Sequence, residues 1–330
     1  MMPMTRRRLF ATTAAAGAAG ALAQLATYPA AAGAPSSKGT GIYRYKFGGY
    51  EITQLMDGAL TFPVPDNFIV NVSKNRAIKA AEAAYMPAGK VTVPFSPMIV
   101  NTGKKLVAID TGYGLGAFAA RKGVVGQARG NMAAAGIDPA TVDIVVISHF
   151  HVDQIGGVKN ADGSLAFPKA EIKVPAIEWA FWTDESNAAN ANLFNRSQFP
   201  HVKKILAGLA DKVTKYEGGT EVAPGITAIH TPGHTPGHMS FAVATGGEQL
   251  LVQSDVTTIP SLFLTHPDWH SFWDNDPVMA QATRHKFYDT ASAEKLTVSG
   301  YHFPYPCAGH VEKSGRAYRL VPVAWDPNSN

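Results

Sequence analysis

Hydrophobic residues in this 330-residue chain fall into short runs that are separated by polar turns. Tyr43 to Phe47 and Tyr50 to Leu55 alternate in polarity and predict a β-hairpin around Gly48-Gly49. Pro97 to Gly112 predicts two strands joined by a tight turn. Periodicity and capping residues predict three longer helices, over Ser73 to Ala84, Leu115 to Ala135 and Pro277 to Lys295.

The remaining apolar runs predict the other strands, which are Ile144 to Ile147, Leu165 to Phe167, Glu171 to Val174, Val213 to Glu217, Gly225 to Ile229, Leu250 to Asp255, Thr297 to His302 and Tyr318 to Val323. Pairs of strands broken by helices occur in two successive halves of the chain. This order indicates two sheets with helices outside both. Because neither a repeat nor a second linker interrupts it, we predict one domain over residues 38–330.

Composition is that of a globular protein, with 46% hydrophobic and 16% charged residues. Cys307 is the single cysteine, so an internal disulfide framework and a cysteine zinc cluster are both excluded. Any metal ion must therefore be held by histidine or carboxylate side chains. Cys307 itself lies in an aromatic, proline-rich stretch and is predicted to be a core residue.

The N-terminus has the pattern of an export signal. Residues 5–10 (TRRRLF) resemble a twin-arginine box, an alanine-rich stretch follows to Ala26, and small residues at 30–34 offer cleavage sites. We predict that residues 1–37 are a cleaved leader and linker, which places the mature protein in the periplasm or outside the cell. No later stretch predicts a membrane span.

The charge balance of the mature chain is close to neutral. The whole chain has 29 basic and 25 acidic residues, and removal of the three leader arginines leaves an excess of about one positive charge. This balance gives no electrostatic basis for binding nucleic acid or an anionic membrane. The expected partner is a small molecule.

The strongest chemical signal follows the predicted strand Ile144 to Ile147. His149 and His151 are two residues apart and Asp153 comes next, followed by Gln154 and a glycine pair. In an extended segment, alternate side chains point the same way, so both imidazoles can converge on one ion. The carboxylate adds a harder oxygen ligand that suits a second ion.

Three further strand ends carry residues that can bind metals. His234 lies in the rigid turn TPGHTPGH at 231–238, Asp255 follows an apolar run, and His302 follows another. A lone histidine after a strand is usually structural. Four such ends in one chain, the first with the H-x-H-x-D pattern, predict a metal site.

These residues resemble the metallo-β-lactamase superfamily, whose signature is H-x-H-x-D-H. The segments FHVDQIGG (150–157), TPGHTPGHMS (231–240), GYHFPYPCAGH (300–310) and YRLVPV (318–323) resemble the methyl parathion hydrolase branch. The resemblance extends from residue 99 to about residue 323. It implies an α/β protein, an αβ/βα four-layer sandwich, with a dinuclear site between the sheet edges.

Carried over position by position, the resemblance implies one ion on three histidines and a second ion on a carboxylate and a histidine, with one aspartate bridging both. The implied ligands are His149, His151 and His234 for the first ion, Asp153 and His302 for the second, and Asp255 as the bridge. Zinc is the expected metal at both positions. Asp110 and His238 are implied to support the ligands from behind.

Gln154 departs from the family pattern, which has histidine there. A glutamine amide is a neutral, weaker ligand for zinc, and its oxygen suits harder ions. We therefore predict that the second metal binds weakly or is another metal, such as Mn, Co or Fe.

The resemblance also implies the reaction. A hydroxide held on the metal ions, with Asp255 and Asp153 as the catalytic carboxylates, would attack a carbonyl carbon or phosphorus without a serine or cysteine nucleophile. Three aromatic residues match the branch's substrate pocket, namely Phe118, Trp182 and Phe194, although ordinary core packing explains them equally well. Since no arginine clamp is visible, neutral aryl esters, lactones or phosphotriesters are the expected substrates. The resemblance further suggests a homodimer.

Three alternatives stay open. An acyl-homoserine lactonase would use the same ligands. A mononuclear iron oxidoreductase of the same superfamily is favoured by Gln154 but opposed by Asp153 and His302. A non-catalytic metal-binding protein is supported only by Gln154.

Overall fold

The structure is a computed structural model that describes residues 41–324. The predicted leader, residues 1–37, lies outside the described residues, so its cleavage and export stay predictions. Within residues 41–324, no helix combines the length and hydrophobicity that crossing a bilayer requires.

The first half of the chain forms a seven-stranded mixed sheet and a separate hairpin. The sheet strands are β1 (Ile42–Phe47), β2 (Tyr50–Leu55), β5 (Met98–Asn101), β6 (Leu106–Ile109), β7 (Ile144–Val146), β8 (Glu171–Pro175) and β9 (Val213–Tyr216), and the hairpin is β3 (Gly58–Pro63) with β4 (Lys90–Phe95). The spatial order is β1-β2-β5-β6-β7-β8-β9. The predicted hairpin around Gly48-Gly49 is confirmed, with Phe47 opposite Tyr50.

The second half forms another seven-stranded sheet whose strands lie in chain order. They are β10 (Glu221–Ala223), β11 (Ile226–His230), β12 (Met239–Thr245), β13 (Glu248–Val252), β14 (Thr297–Ser299), β15 (Ala308–Ser314) and β16 (Ala317–Pro322). β13 and β14 are parallel, as are β6 and β7 in the first sheet. Their carboxyl ends carry the metal-binding candidates.

The two sheets pack face to face, and side-chain alternation places one face of each strand in this interface. On β6, Val107 and Ile109 join the cluster between the sheets, where Phe241 and Leu250 come from the second sheet. Ala108 points the other way, into the cluster beneath the outer helices of the first sheet. The predicted αβ/βα four-layer sandwich is therefore confirmed, because alternate residues of one strand contact different layers.

The helices are α1 (Lys74–Ala83), α2 (Gly114–Ala120), α3 (Ala128–Ala134), α4 (Val152–Ile155), α5 (Ala176–Thr183), α6 (Ser186–Asn190), α7 (Leu193–Leu206), α8 (Pro260–Phe263) and α9 (Pro277–Ala293), with short 3₁₀ turns at 139–141, 156–158 and 210–212. Ser73 caps α1 as predicted, accepting a hydrogen bond from the backbone of Arg76. α9 corresponds to the predicted third helix.

Two local predictions were wrong. The single helix over Leu115 to Ala135 is two helices, α2 and α3. The chain turns between them at Gly123 and Gly126, where φ is +78° and +80°. The strand over Leu165 to Phe167 is reduced to one isolated bridge between Leu165 and Lys159.

One buried carboxylate fixes the loops on both sides of α2. Asp57 accepts hydrogen bonds from the backbone N–H groups of Tyr113 (2.8 Å), Gly126 (3.2 Å) and Ala128 (2.8 Å). Burial raises the pKa of Asp57 to about 6. A side chain at Gly112 would lie 2.6 Å from this carboxylate, which explains the glycine before Tyr113.

Candidate metal centre

Four loops converge where the carboxyl ends of the parallel strands meet. His149 and His151 follow β7, and His151 immediately precedes α4. His234 lies in the turn between β11 and β12, while Asp255 and His302 follow β13 and β14 by three residues each. Each of the two sheets therefore contributes loops to one site.

The first group consists of three histidines and one aspartate, all buried, whose ligand atoms lie within 4.8 Å of one another: His149, His151, His234 and Asp255. Nδ1 of His151 lies 3.0 Å from Nε2 of His149 and 3.0 Å from Nε2 of His234. Ligands about 2.0–2.1 Å from a tetrahedral ion are separated by roughly 3.3 Å. This group therefore fits a metal ion.

The second group shares Asp255 and adds Asp153 and His302. Nε2 of His302 lies 2.9 Å from Oδ2 of Asp255 and 3.6 Å from Oδ2 of Asp153. The same Oδ2 atom of Asp255 lies 3.3 Å from Nε2 of His234 in the first group. Asp255 is thus placed between the two groups.

The nitrogen of each first-group imidazole that points away from the group has a hydrogen-bond partner. Nε2 of His151 donates to Oδ1 of Asn195 at 2.6 Å, and Nδ1 of His234 donates to Oδ1 of Asp274 at 2.9 Å. Nδ1 of His149 lies 3.0 Å from the Ser148 hydroxyl. These partners select the tautomer that leaves the inward nitrogen free to bind a metal.

The two predicted supporting residues lie behind the ligands. Asp110 accepts hydrogen bonds from the backbone N–H and the hydroxyl of Ser148, both at 2.8 Å, so that hydroxyl can accept from His149. His238 accepts at Nε2 from the backbone N–H of Asp255, at 3.0 Å. Asp110 therefore acts on His149 through Ser148, whereas His238 contacts Asp255 directly.

The electrostatic environment favours unprotonated imidazoles at three of these histidines. Burial lowers the pKa of His151 and of His238 to about 3, and the pKa of His149 well below its ordinary value. At His234 burial also opposes the charge, but hydrogen bonds to Asp255 and Asp274 raise its pKa to about 10. Metal binding at His234 is therefore coupled to release of a proton.

Glu178 ties the two histidine loops together. This residue of α5 is fully buried, and its carboxylate accepts from the backbone N–H of Phe150 (3.0 Å) and of Gly237 (2.8 Å). It also accepts from the Trp182 indole at 2.8 Å. Burial raises the pKa of Glu178, while these hydrogen bonds lower it. Phe150 stands between His149 and His151, so one side chain positions both loops.

Sequence reasoning missed Asn195, Asp274 and Glu178. None of them stands at the end of a predicted strand, and their spacing in sequence from the histidines follows no regular period. The one signal present is their residue type, a polar group within a mostly aromatic segment.

A cavity of about 250 Å³ opens onto both groups. Its walls are mainly aromatic and aliphatic, and Phe194, one of the three pocket candidates, lines it together with Tyr113 and Trp273. The other two pocket candidates do not line this cavity. Trp182 is buried against the ring of His151, and Phe118 is 43% exposed. An arginine that the sequence did not point to, Arg121, does line it.

We expect Asp274→Asn to weaken metal binding by about 10–100-fold, the usual effect of losing a partner behind a metal-bound histidine. Asp274 accepts from His234, and its second oxygen lies 3.4 Å from the buried Arg284 guanidinium. Competition with a chromophoric chelator measures the affinity. Asp276→Asn in the same loop is the control, because Asp276 only caps α9. An equal loss in both variants would refute the role of the hydrogen bond.

The site can now be compared with known proteins. A family model described as the metallo-beta-lactamase superfamily matches residues 96–302. The chain belongs to the metallo-β-lactamase superfamily. Its two buried groups of histidine and aspartate are arranged so that each could hold a metal ion.

Two curated relatives represent its sequence similarity. N-acyl homoserine lactonase AttM of Agrobacterium fabrum is 34% identical over 113 residues, which are 33% of this chain and 39% of that protein. Atrochrysone carboxyl ACP thioesterase of Passalora fulva is 25% identical over 177 residues, which are 54% of this chain and 42% of that protein. The matched regions span less than half the length of either relative.

Two solved structures of the metallo-β-lactamase fold match nearly the whole of the described chain. AbOPH, a hydrolase in the beta lactamase superfamily, has a TM-score of 0.79 at 27% identity and covers 87% of this chain and 99% of its own. AidC, a dizinc quorum-quenching lactonase, has a TM-score of 0.80 at 24% identity and covers 87% and 98%. The likeness to AidC supports the fold alone.

Proposed function

We propose that this metallo-β-lactamase member hydrolyses neutral aryl esters, lactones or phosphotriesters, in the manner of the methyl parathion hydrolase branch. The observation that carries the proposal is the aromatic-walled cavity that opens onto two ligand groups sharing Asp255. Cys307 is fully buried in the cluster beneath α9 and does not line this cavity, so its thiol is not placed to attack a substrate there.

The residues fit two divalent ions, for which zinc is our first choice. His149, His151 and His234 would hold one ion, Asp153 and His302 the other, and Asp255 both. When bound, such ions supply Lewis acidity and lower the pKa of a coordinated water toward neutrality. The buried ligands exclude bulk water, which strengthens the stabilisation of developing negative charge. The aromatic walls orient the leaving group by apolar contact.

Lactones are the second candidate substrates. The relative AttM is an N-acyl homoserine lactonase. A lactone and an aryl ester require the same attack at a carbonyl carbon, so the metal groups do not distinguish them. The preference between a lactone and an aryl ester therefore depends on how well the acyl group or the leaving group fits the cavity walls.

The proposal is tested with the full chain, stripped with a chelator and reloaded with Zn, Mn, Co or Fe. We expect metal-dependent hydrolysis of phenyl acetate, methyl parathion or hexanoyl-homoserine lactone, with the relative kcat/KM values ranking the substrate classes. Bound metal without hydrolysis of any of these substrates would refute a hydrolase. Oxygen consumption by the iron-loaded protein would favour the oxidoreductase instead.

Gln154 occupies the place where the family signature has histidine. Its Nε2 donates to Oδ2 of Asp153 at 3.1 Å and to Oδ1 of Asp255 at 3.3 Å. Its Oε1 is buried and has no hydrogen-bond partner among the described residues. The amide therefore bridges the two carboxylates of the second group, and a half-turn would present its oxygen to an ion there.

We expect Gln154→His to raise the affinity for the second metal by about tenfold or more, because imidazole is a better ligand for zinc than a neutral amide. The parent is expected to retain close to one zinc per chain after gel filtration, and the variant close to two. Zinc analysis and calorimetric titration measure this. Gln154→Leu, which keeps a similar volume without a ligand atom, should show no gain. Two tightly held zinc ions in the parent would refute the prediction.

A further inference from the structure

Arg121 is an exposed residue in the wall of the cavity that opens onto the ligand groups. It directly follows α2. Its guanidinium carbon is 5.8 Å from the ring centroid of Tyr113, another wall residue. Within residues 41–324, its side chain has neither an ion pair nor a hydrogen bond. A cation therefore faces the cavity with its donors available.

The loops around α2 fix the place from which this side chain extends. The backbone N–H of Arg121 bonds to the carbonyl of Ala117, and that of Tyr113 bonds to Asp57. A side chain at Gly126 would lie 2.4 Å from the carbonyl of Gly114, so the turn after α2 packs closely against the start of the helix. Arg121 therefore extends from a well-packed part of the backbone.

The other charges in the cavity do not compensate Arg121. The acidic residues that line it are Asp153 and Asp255, and both belong to the ligand groups. Metal ions held by these groups would offset the negative charge of both carboxylates. Arg121 then carries the remaining uncompensated charge of the cavity wall, whose other residues are mainly aromatic and aliphatic.

We propose that Arg121 binds a carboxylate on the non-reacting end of the substrate, so that the preferred substrates are aromatic esters or lactones carrying one acid group. This inference rests on the proposed hydrolase function and replaces neutral esters and lactones by singly charged ones as the preferred substrates. A planar guanidinium matches a planar carboxylate through two parallel hydrogen bonds. A single arginine among aromatic residues suits a monoanion better than a phosphate dianion, which needs several donors.

Two esters that differ only in this charge test the inference. 4-Acetoxybenzoate carries a free carboxylate, and its methyl ester does not, while the scissile acetyl ester is the same. We expect the metal-loaded parent to have the lower KM for 4-acetoxybenzoate. Arg121→Gln should raise that KM about tenfold, leave kcat within about twofold, and leave the methyl ester unaffected.

Lys122→Asn is the matched control. It removes the same charge one residue away, at a side chain that does not line the cavity, and asparagine tolerates the φ of +52° at this position. We expect no change in either KM. Equal changes in both variants, or equal effects of Arg121→Gln on both esters, would overturn the inference.

The inference can fail separately from the proposed function. Hydrolysis of the methyl ester without discrimination by Arg121 would refute the carboxylate site alone. If the metal-loaded parent hydrolyses neither ester, the proposed function fails for aryl esters. Calorimetric titration with 4-methoxybenzoate, which has no scissile ester, then decides. Binding that weakens about tenfold in Arg121→Gln supports the carboxylate site, and unchanged or undetectable binding overturns it.

Discussion

Asp255→Asn is expected to lower kcat/KM by roughly 10³-fold or more. Asp255 is the residue that both ligand groups share, with Oδ2 at 2.9 Å from His302 Nε2 and 3.3 Å from His234 Nε2. Two opposite unit charges about 4 Å apart attract each other by about 4 kcal/mol at an effective dielectric constant near 20. A cation bound beside Asp255 would lose about this much stabilisation when the carboxylate becomes an amide. A loss of that size at the transition state corresponds to about three powers of ten in rate.

Asp153→Asn is the matched control. It also replaces a carboxylate ligand by an amide, but at a residue that belongs to one ligand group only. Asp153 belongs to the second group alone, so its variant should keep the metal of the first group. Since the parent is expected to retain close to one zinc per chain, we expect Asp255→Asn to lose that metal as well, measured as metal per chain by elemental analysis after gel filtration. An Asp255→Asn protein that keeps as much metal per chain as the parent, with one tenth or more of the parental activity, would contradict the prediction.

Glu178→Ala is expected to lower the free energy of unfolding of the metal-free protein by about 3–9 kcal/mol. The substitution leaves three buried donors without a partner, namely the backbone N–H groups of Phe150 and Gly237 and the Trp182 indole. Each such donor costs about 1–3 kcal/mol. Since domains unfold with only about 5–15 kcal/mol, this loss is a large fraction of the total.

Urea denaturation of the chelator-treated protein measures the effect of Glu178→Ala as a shift in the transition midpoint. Glu185→Ala is the control, because Glu185 is exposed and pairs only with Lys203 at the surface. Its midpoint should stay that of the parent. If Glu178→Ala also unfolds at the parental midpoint, the carboxylate does not hold the histidine loops together.

The ligand candidates could be predicted because their positions depend on local rules. Alternation beyond a buried strand brings His149 and His151 to one side, and the ends of strands are where a sheet exposes polar side chains. His234, Asp255 and His302 each follow an apolar run that is visible in the sequence. These features require no knowledge of which strands are neighbours.

The residues that orient the ligands and shape the cavity could not be predicted in this way. Asn195 is 44 positions from His151 in the sequence, and Asp274 is 40 positions from His234. These contacts form only because α7 and the loop before α9 pack against the histidine loops. Helical periodicity over Leu115 to Ala135 also concealed the turn after Arg121. The wall residue Tyr113 was missed, and the exposed Phe118 was chosen instead.

The division of the ligands between the two sheets has a consequence for how the protein is held together. His149, His151 and Asp153 come from the first half of the chain, and His234, Asp255 and His302 come from the second. Each ligand group draws on both halves. An ion in either group would therefore be a cross-link between the two halves, and neither half alone can build the site. Bound metal would therefore oppose the separation of the two halves during unfolding.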